Sequence, residues 1–524
     1  MSVFDYILAG IAAVFAGPEI AFLGLELPAT PLMVLFGFLL GIMVGATPGL
    51  AAPMAMAVAL PLLISSFGFN PDALLPVMGF LIGVMKGGTL GGSVPAILFN
   101  TPGTPDAYMT SLDGHPMAQA GQSGRALRIA HFSSASGDTF SDIVLILCAP
   151  FLAVMVEMYL DLPEKTALLL LSLAFIAAVI GGSMGKGLIS TGLGLLAAYV
   201  GTGEDFYPRL SFGTQELSQG FPITTAVLGV LILGEVFKGL EDEWQRRGTE
   251  GKRTDISATG RQRLSRADLS RIAPFIARSA FIGTAIGALP GVGSTLAATL
   301  GYTVGRNRHR QRSPDRTPFG QGAPEGIAAT EAANSSVSGA NLIPVLSLGI
   351  PGNAAAVFLI LAAESIGGFN PGPSVFRFTE EPNPELIIAF GLFTAMMMAN
   401  LLNWSIGGVF MRATGVMIRI PRHILLPCVL LLTLTAIYVQ ETRMAAIWMA
   451  VGFGLLGYFM RRIGMSPLPF VIAFILGAKL EETARQAFAA TGGNPFFLFS
   501  SATSVVLMAA MVATVFFSIR RTRP

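Results

Sequence analysis

Charged side chains are scarce in this sequence of 524 residues: Asp, Glu, Lys and Arg together make up 12% of it, whereas apolar residues make up 52%. Soluble globular domains carry about 25% charged residues, so the composition excludes a water-soluble protein. The net charge of +2 is too small to indicate nucleic-acid binding. We therefore expect one polytopic bundle in a lipid bilayer rather than a series of globular domains.

Side chains with catalytic or metal-binding chemistry are also few. The two cysteines, Cys148 and Cys428, lie in apolar runs, which excludes a disulfide framework and a Cys-based metal site. The four histidines lack metal-ligand spacing, and the Walker A phosphate-binding motif does not occur. We therefore predict no enzyme activity, no metal site, no cofactor and no ATP drive within this chain. A membrane enzyme or scaffold ranks last among the function classes.

Long apolar runs, in contrast, fill most of the chain and predict an all-α polytopic membrane protein with about 10–12 transmembrane segments. Residues 3–16 lack the basic segment and cleavage site of a signal peptide, so we expect them in the mature protein. Some runs are interrupted by Pro and Gly and predict broken helices: 27–71, 73–105, 273–305 and 339–363. The uninterrupted runs lie near 139–158, 166–184, 187–201, 222–240, 385–411, 423–440, 444–460 and 500–519.

Residues 246–271 form a polar segment that is rich in arginine. The positive-inside rule places such segments in the cytoplasm. We interpret it as a cytoplasmic linker between a first membrane half, residues 1–245, and a second, residues 272–524. The run 273–305 lies between basic clusters and predicts a hairpin that enters from the cytoplasm. The run 27–71 has no basic flank and is expected to open to the outside.

Two motifs recur in the same order in both halves, within 37–106 and within 283–353. Each half has glycines at every fourth residue that end in Pro-Gly, followed by a proline with a second Pro-Gly seven residues later. The first motif contains Gly41, Gly45 and Pro48-Gly49, and then Gly283, Gly287 and Pro290-Gly291. The second contains Pro95 and Pro102-Gly103, and then Pro344 and Pro351-Gly352.

The glycine rows and the Pro-Gly pairs call for different explanations. Small residues spaced by four let membrane helices pack closely, which accounts for the rows. A Pro-Gly pair unwinds a helix, and unwound backbone within a membrane is tolerated only in a protein interior or a watery cavity. Equivalent hairpins that enter from opposite sides are typical of inverted-topology repeats, which bind substrate near the midplane. The four breaks are therefore candidate binding sites.

An anion is the expected guest, because a helix that starts after a break presents free N–H groups and the positive end of its dipole. Neutral side chains beside the breaks add donors without burying a counter-charge. The alternative for each of these Ser, Thr and Asn residues is helix capping. The predicted substrate-binding residues are Thr47, Pro48, Gly49, Asn100, Thr101, Pro102, Gly103, Thr104, Pro290, Gly291, Gly293, Ser294, Thr295, Pro351, Gly352 and Asn353.

Ionisable residues within the apolar runs are further candidates. Lys86 is the only charge between Asp72 and Asp106, and it either contacts the substrate or extends to the membrane surface. Glu331, Asn334 and Ser335 lie among small polar residues, and they either bind the coupling ion, sodium or a proton, or belong to a solvated loop.

The sequence resembles the large membrane subunit of tripartite tricarboxylate transporters over nearly its whole length. The resemblance rests on GATPGL, GGSVPAILFNTPGTPDAYMTSLDGHPMA, GALPGVGS, FGQGAPEGIAATEAANSSVSGANLIPVLSLGIPGN and PLPFVIAFILGAKLEETARQAF. Two departures stand out: family members often have tyrosine where Lys86 stands, and often APE and NNA where this chain has Ala329-Thr330-Glu331 and Asn334-Ser335-Ser336.

The resemblance implies a subunit of a secondary active transporter in the bacterial inner membrane that imports carboxylates with an ion gradient. It also implies two partners, a small four-span membrane subunit and a periplasmic solute-binding protein that delivers the substrate. The leading hypothesis is therefore import of an organic di- or tricarboxylate with sodium or protons. The alternative is a passive organic-anion channel, since channels also line pores with backbone dipoles.

Overall fold

A computed structural model describes residues 2–22, 24–47, 50–101, 103–180, 183–202, 207–246, 264–289, 293–312, 317–377, 381–417 and 422–521. In the described residues of the first part of the chain, helices, turns and loops accompany two short antiparallel strand pairs, β1 with β2 and β3 with β4. Its elements are α1 (Val3–Phe15), β1 (Glu19–Phe22), β2 (Leu25–Pro28), α2 (Ala29–Ala46), α3 (Ala52–Phe67), α4 (Leu74–Phe99), α5 (Tyr108–Met117), α6 (Ser123–Tyr159), α7 (Leu162–Ile180), α8 (Met184–Ala198), β3 (Gly201–Thr202), β4 (Pro208–Arg209), α9 (Ile223–Leu228) and α10 (Gly234–Arg246).

The described residues after the polar segment are helices, turns and loops. α11 starts at a capping box, in which Ser265 Oγ accepts the N–H of Asp268 and Asp268 Oδ2 accepts the N–H of Ser265. The helices are α11 (Arg266–Gly287), α12 (Ser294–Arg312), α13 (Pro324–Ala340), α14 (Leu342–Leu348), α15 (Ala354–Ile366), α16 (Pro384–Leu402), α17 (Gly408–Met417), α18 (Arg422–Glu441), α19 (Met444–Arg462), α20 (Leu468–Ala490) and α21 (Ala502–Arg521).

Eight of the described helical stretches are long and apolar enough to cross a membrane, and five shorter apolar helices accompany them. The predicted class, an all-α polytopic membrane protein, is confirmed. Four helical segments, α6, α7, α8 and the α9–α10 stretch, lie between residues 123 and 246. From the sequence we expect an even number of spans, four, between residues 128 and 246. The count of 10–12 spans and the opposite orientation of the two hairpins stay predictions.

The chain divides into two compact units, and each unit draws on both halves of the sequence. Unit 1 comprises residues 1–152 and 248–421, and unit 2 comprises residues 153–247 and 422–524. The predicted linker falls largely on residues 247–263, outside the described residues. The division into membrane halves at 245 and 272 concerns the repeat and stays a prediction.

Unit 2 is built from α7 to α10 and α18 to α21, with α20 packed on α7 and α8. Arg461 Nε donates to Glu235 Oε2 at 2.7 Å, and Arg209 donates from both terminal nitrogens to Glu481 at 2.8 and 3.0 Å. All predicted site residues that the structure describes belong to unit 1 instead.

The glycine rows of unit 1 form two helix seams with the same register. A Cβ on Gly41 would lie 2.5 Å from the carbonyl oxygen of Val84, and one on Gly283 would overlap that of Ala333. Val84 and Ala333 each lie eleven residues before the proline of the second motif, Pro95 or Pro344. α2 therefore packs on α4 as α11 packs on α13, which is the packing role predicted for these glycines.

Candidate functional site

Helices end at all four predicted breaks. α2 ends at Ala46 and α3 begins at Ala52, and α11 ends at Gly287 and α12 begins at Ser294. At the second motif of each half, α4 ends before Asn100 and α14 ends before Gly349. Both residues adopt left-handed dihedral angles, with φ of 51° for Asn100 and 69° for Gly349. Five predicted site residues lie outside the described residues: Pro48, Gly49, Pro102, Pro290 and Gly291.

In the first half, the structure brings the two breaks of the repeat together. The N–H of Gly103 donates to the carbonyl oxygen of Gly92 at 3.4 Å. A side chain on Gly103 would overlap the carbonyl oxygen of Gly45, at the end of the first glycine row. Thr104 Oγ1 lies 2.9 Å from where a Cβ on Gly92 would be. Gly92 and Gly103 are therefore needed for close backbone approach at this position.

In the second half, Asn341 takes the place of Gly92. Each of them lies three residues before the proline of its motif, and Asn341 Oδ1 lies 2.7 Å from where a Cβ on Gly352 would be. Asn341 is fully buried. Neither its Oδ1 nor its Nδ2 has a hydrogen-bond partner among the described residues. Buried polar groups are normally paired, so Asn341 is a site candidate that the sequence analysis missed.

Residues that follow a break in each half also contact each other. Thr295 Oγ1, in the first turn of α12, donates to Asp106 Oδ1 at 2.5 Å. One turn further along the chain from Asp106, Thr110 Oγ1 donates to Glu331 Oε1 on α13. We call Asp106, Thr110, Thr295 and Glu331 the tip cluster. It joins residues that lie about two hundred positions apart in the sequence.

The predicted ion-binding residues lie on α13, so the alternative of a solvated loop is wrong. Glu331 and Ser335 are fully buried and Asn334 is 2% exposed. Ser335 Oγ lies 2.5 Å from Ser134 Oγ on α6. Glu331 Oε2 and Asn334 Oδ1 have no partner in the part of the chain that the structure describes. Two oxygen acceptors are therefore available beside the tip cluster.

Several of the neutral donors bond to their own local backbone. Asn353 Oδ1 accepts the N–H of Ala356 at 2.8 Å and caps α15. Thr47 Oγ1 donates to the carbonyl oxygen of Met43 at 2.9 Å, and Thr101 Oγ1 donates to that of Phe99 at 3.1 Å. For Asn353 the capping alternative describes the contact. Gly293 and Ser294 are half-buried at the start of α12.

Lys86 is fully buried, so its predicted extension to the membrane surface is wrong. Its Nζ lies 2.7 Å from Asp142 Oδ2 and 3.5 Å from Asp138 Oδ1, and it donates to Asn400 Oδ1 at 3.1 Å. Asn400 Nδ2 in turn donates to Asp142 Oδ2 at 2.7 Å. We call Lys86, Asp138, Asp142, Asn400 and Asn403 the lysine cluster.

The sequence analysis missed both aspartates, although a signal for them exists. Asp138 and Asp142 are four residues apart at the start of the apolar run 139–158, a spacing that places both on one helix face. Two carboxylates on the buried face of a membrane helix require a cation nearby. Lys86, the only charged residue between Asp72 and Asp106, is a cation in a neighbouring apolar run and could have been paired with them.

Asp113 joins two of the motif blocks that carry the family resemblance. Its Oδ1 accepts the backbone N–H groups of Gly320, Gly322 and Ala323 at 2.8, 3.0 and 2.8 Å. A Cβ on Gly326 would overlap its other oxygen. Asp113 therefore fixes the segment that leads into α13, which carries Glu331.

The chain is similar to other proteins along most of its length. A sequence profile described as "Tripartite tricarboxylate transporter TctA family" matches residues 32–472. The chain is 31% identical over 503 residues to an "Uncharacterized 52.8 kDa protein in TAR-I ttuC' 3'region" of Agrobacterium vitis, with 94% of each chain covered. A second Agrobacterium vitis protein, "Uncharacterized protein in TAR-II ttuC' 3'region", is 30% identical over 216 residues, which is 40% of this chain and 83% of that protein. No solved structure matches the chain.

Proposed function

Because the chain belongs to the TctA family of tripartite tricarboxylate transporters, we propose that it imports an organic di- or tricarboxylate by secondary active transport. In this proposal it is the large membrane subunit in the bacterial inner membrane. A small four-span membrane subunit and a periplasmic solute-binding protein complete the system, and the binding protein delivers the substrate. A sodium or proton gradient drives uptake.

The observation that carries the proposal is the carboxyl group of Glu331 in the tip cluster, one oxygen of which has no hydrogen-bond partner among the described residues. Its Oε2 is buried and has no partner among the described residues, and Asp106 adds a second carboxylate near the same breaks. A buried carboxylate favours a cation or a proton. An anionic substrate meets electrostatic repulsion here unless a cation enters with it, and this requirement supplies the coupling.

The breaks supply the groups for the substrate itself. α12 begins at Ser294 beside the Thr295–Asp106 contact, and its first turn presents backbone N–H groups and the positive end of the helix dipole. Asn341, with two unpaired polar atoms in the described structure, lies beside Gly352 at the remaining break. Sodium ions and carboxylates would share a site lined by neutral donors and two acidic side chains.

The test is uptake of labelled di- and tricarboxylates into proteoliposomes that contain all three proteins, with an imposed sodium or pH gradient. We expect accumulation only with a gradient, and we expect Glu331→Gln to abolish the gradient-dependent part. Glu482→Gln, on an exposed face of α20, is the matched control and should transport normally. Uptake that is unchanged without any gradient would contradict coupling, and current without the binding protein would indicate a passive channel instead.

A further inference from the structure

The lysine cluster contains one lysine and two aspartates, and all three side chains are shielded from solvent. The side chains of Lys86, Asp138 and Asp142 are each 0% exposed. If all three were ionised, the cluster would carry a net negative charge within the membrane part of the protein, where an uncompensated charge is strongly unfavourable. A proton on one of the two carboxylates removes that charge.

The neighbouring helices present neutral groups to the aspartates. α13 contributes Ser338, and the α16 segment contributes Asn400 and Asn403, whose Nδ2 donates to Asp138 Oδ2 at 3.4 Å. α4 contributes Lys86. On α6 itself, His131 lies two turns before Asp138 and bonds the backbone carbonyl of Asn403 rather than a carboxylate, with Nε2 at 2.8 Å from the oxygen.

The contacts of Lys86 and Ser338 favour Asp138 over Asp142 as the carrier of a proton, because Lys86 Nζ lies nearer to Asp142 Oδ2, at 2.7 Å, than to Asp138 Oδ1, at 3.5 Å. Ser338 Oγ lies 2.7 Å from the carbonyl oxygen of Ser335 and also makes a hydrogen bond with Asp138 Oδ1. A hydroxyl group has one hydrogen, and a carbonyl oxygen can only accept. The single hydrogen of Ser338 cannot serve both acceptors fully, and a proton on Asp138 would let Asp138 donate to Ser338 while Ser338 donates to Ser335.

The cluster is also short of donor hydrogens. Asp142 Oδ1 and Asn403 Oδ1 are buried and have no donor in the described parts of the chain. Asn403 is 0% exposed, and its amide already points to Asp138 through Nδ2. Buried acceptors of this kind are rarely left unpaired, so this group has room for at least one further proton.

A cavity lies next to the lysine cluster, since its lining residue His131 contacts Asn403. It has a volume of about 410 Å³ and is lined by His131, Arg128 and Arg412 among others. The turn Asn403–Gly407 is a π-helix, a distortion that is frequent at functional sites. It exposes the Asn403 carbonyl to His131 on the cavity side, while the Asn403 side chain reaches Asp138. In the described structure, Asn403 therefore contacts both Asp138 and the cavity-lining residue His131.

We propose that the lysine cluster is a proton-binding site, in which Asp138 carries the exchangeable proton while Lys86 and Asp142 remain an ion pair. On release, the O–H bond of the Asp138 carboxyl group breaks, the carboxylate stays in the cluster, and the proton passes to water in the cavity beside His131. The cluster touches α4 and α13, which lead to the second break of each half. Any role of this proton in driving uptake rests on the proposed function.

Infrared spectroscopy of the full-length protein in nanodiscs tests proton occupancy without transport, through the carbonyl stretching band of a protonated carboxyl group. Asp138→Asn and Asp142→Asn should each remove one such band, because the remaining aspartate pairs with Lys86. Lys86→Met should add a band of about equal size, since both aspartates then need a proton. Other protonated carboxyl groups are common to all proteins and cancel in the difference spectra. Identical bands in all four proteins would overturn the proposal.

Ser338→Ala keeps all three ionisable side chains of the cluster, so it can be measured if the variants of Lys86, Asp138 and Asp142 do not assemble. It should shift the frequency of the Asp138 band, because the hydroxyl partner is lost. Ser336→Ala is the matched control: Ser336 is fully buried on the same helix, and its Oγ lies 3.1 Å from the carbonyl oxygen of Gly137 and 2.6 Å from that of Ala332, with no carboxylate partner among the described residues. A spectrum of Ser338→Ala identical to that of the wild type would place the proton elsewhere and overturn the assignment to Asp138.

Transport then tests whether this proton is coupled. In proteoliposomes, Asp138→Asn should retain exchange of labelled substrate between equal pools and lose acceleration by an inward pH gradient. If the infrared band of Asp138 is present but wild-type uptake does not change with the pH gradient, the proton of Asp138 does not drive uptake. The proposal of carboxylate import is not affected by that result. If the wild type shows no uptake at all, the proposed function fails, and the infrared result still decides the proton site.

Discussion

α4 and α13 have the same backbone environment and opposite chemistry. Each packs along a glycine row in one register, Gly45 against Gly88 and Gly287 against Val337. The positions of Glu331 and Asn334, thirteen and ten residues before Pro344, correspond to Ile82 and Met85 before Pro95. At these two positions α4 is apolar, whereas α13 carries buried polar side chains.

The two helices do share one polar position. Lys86 and Ser335 each lie nine residues before the proline of their motif, and both contact α6, Lys86 through Asp138 and Asp142 and Ser335 through Ser134. In both halves the glycines of α2 and α11 are constrained by close packing. The matched positions of α4 and α13 that do not face these glycines differ in chemistry. α4 can carry the buried Lys86 within the membrane because Asp138 and Asp142 of α6 compensate its charge.

The largest expected effect comes from the glycine seams. A Cβ on Gly45 would overlap the carbonyl oxygen of Gly88, a backbone atom that cannot move alone, whereas one on Gly287 would meet Ala340 Cβ at 2.8 Å and Val337 Cα at 3.0 Å. Gly45→Ala should therefore lower stability by about 3 kcal/mol or more, and Gly287→Ala by about 1–3 kcal/mol. Thermal unfolding in detergent measures both.

The control for the seams is Gly452→Ala in α19, where a Cβ meets nothing within 4 Å. It should leave the unfolding temperature unchanged or raise it, because alanine favours a helix over glycine. Equal losses in all three variants would mean that packing is not the reason for the glycine rows.

The next effect concerns the contact between the two repeats. Thr295→Val removes the donor to Asp106 Oδ1. This hydrogen bond lies at an exposed position, so its loss should cost about 0.5–1.5 kcal/mol of stability. We expect initial uptake to fall by about 10- to 100-fold with normal membrane insertion. Thr299→Val is the matched control, since Thr299 Oγ1 donates to the carbonyl oxygen of Thr295 within the same helix. Similar uptake by the two variants would remove this contact from the mechanism.

The last comparison concerns two buried asparagines, whose replacement should change stability in opposite directions. Asn341→Leu replaces a side chain whose polar atoms have no partner in the described structure, so stability should rise by about 1 kcal/mol while uptake falls. Asn400→Leu instead breaks hydrogen bonds to Lys86 and Asp142 and should lower stability by about 1.5–3 kcal/mol. Unfolding curves of both variants decide the comparison, and a loss of stability in Asn341→Leu would show that its side chain is paired after all.

Local chemistry made much of the fold predictable. A Pro-Gly pair disrupts a helix wherever it stands, and helices end at all four predicted breaks. A glycine every fourth residue indicates a close helix seam, and α2 and α11 have such seams. The roles of the individual side chains were harder to predict, because Asn353 as a cap and Asn353 as a ligand require the same residue at the same position.

The sequence by itself determined that this is a helical membrane protein with paired motifs and broken helices, because solvent preference and backbone restriction act on neighbouring residues. Only the tertiary structure decided that Lys86 meets Asp138 and Asp142, that Asp106 meets Thr295, and that Asn341 is buried without a described partner. Contacts between side chains of separate helices depend on the rotation and axial position of each helix. These are set by packing across the whole unit, and no local pattern records them.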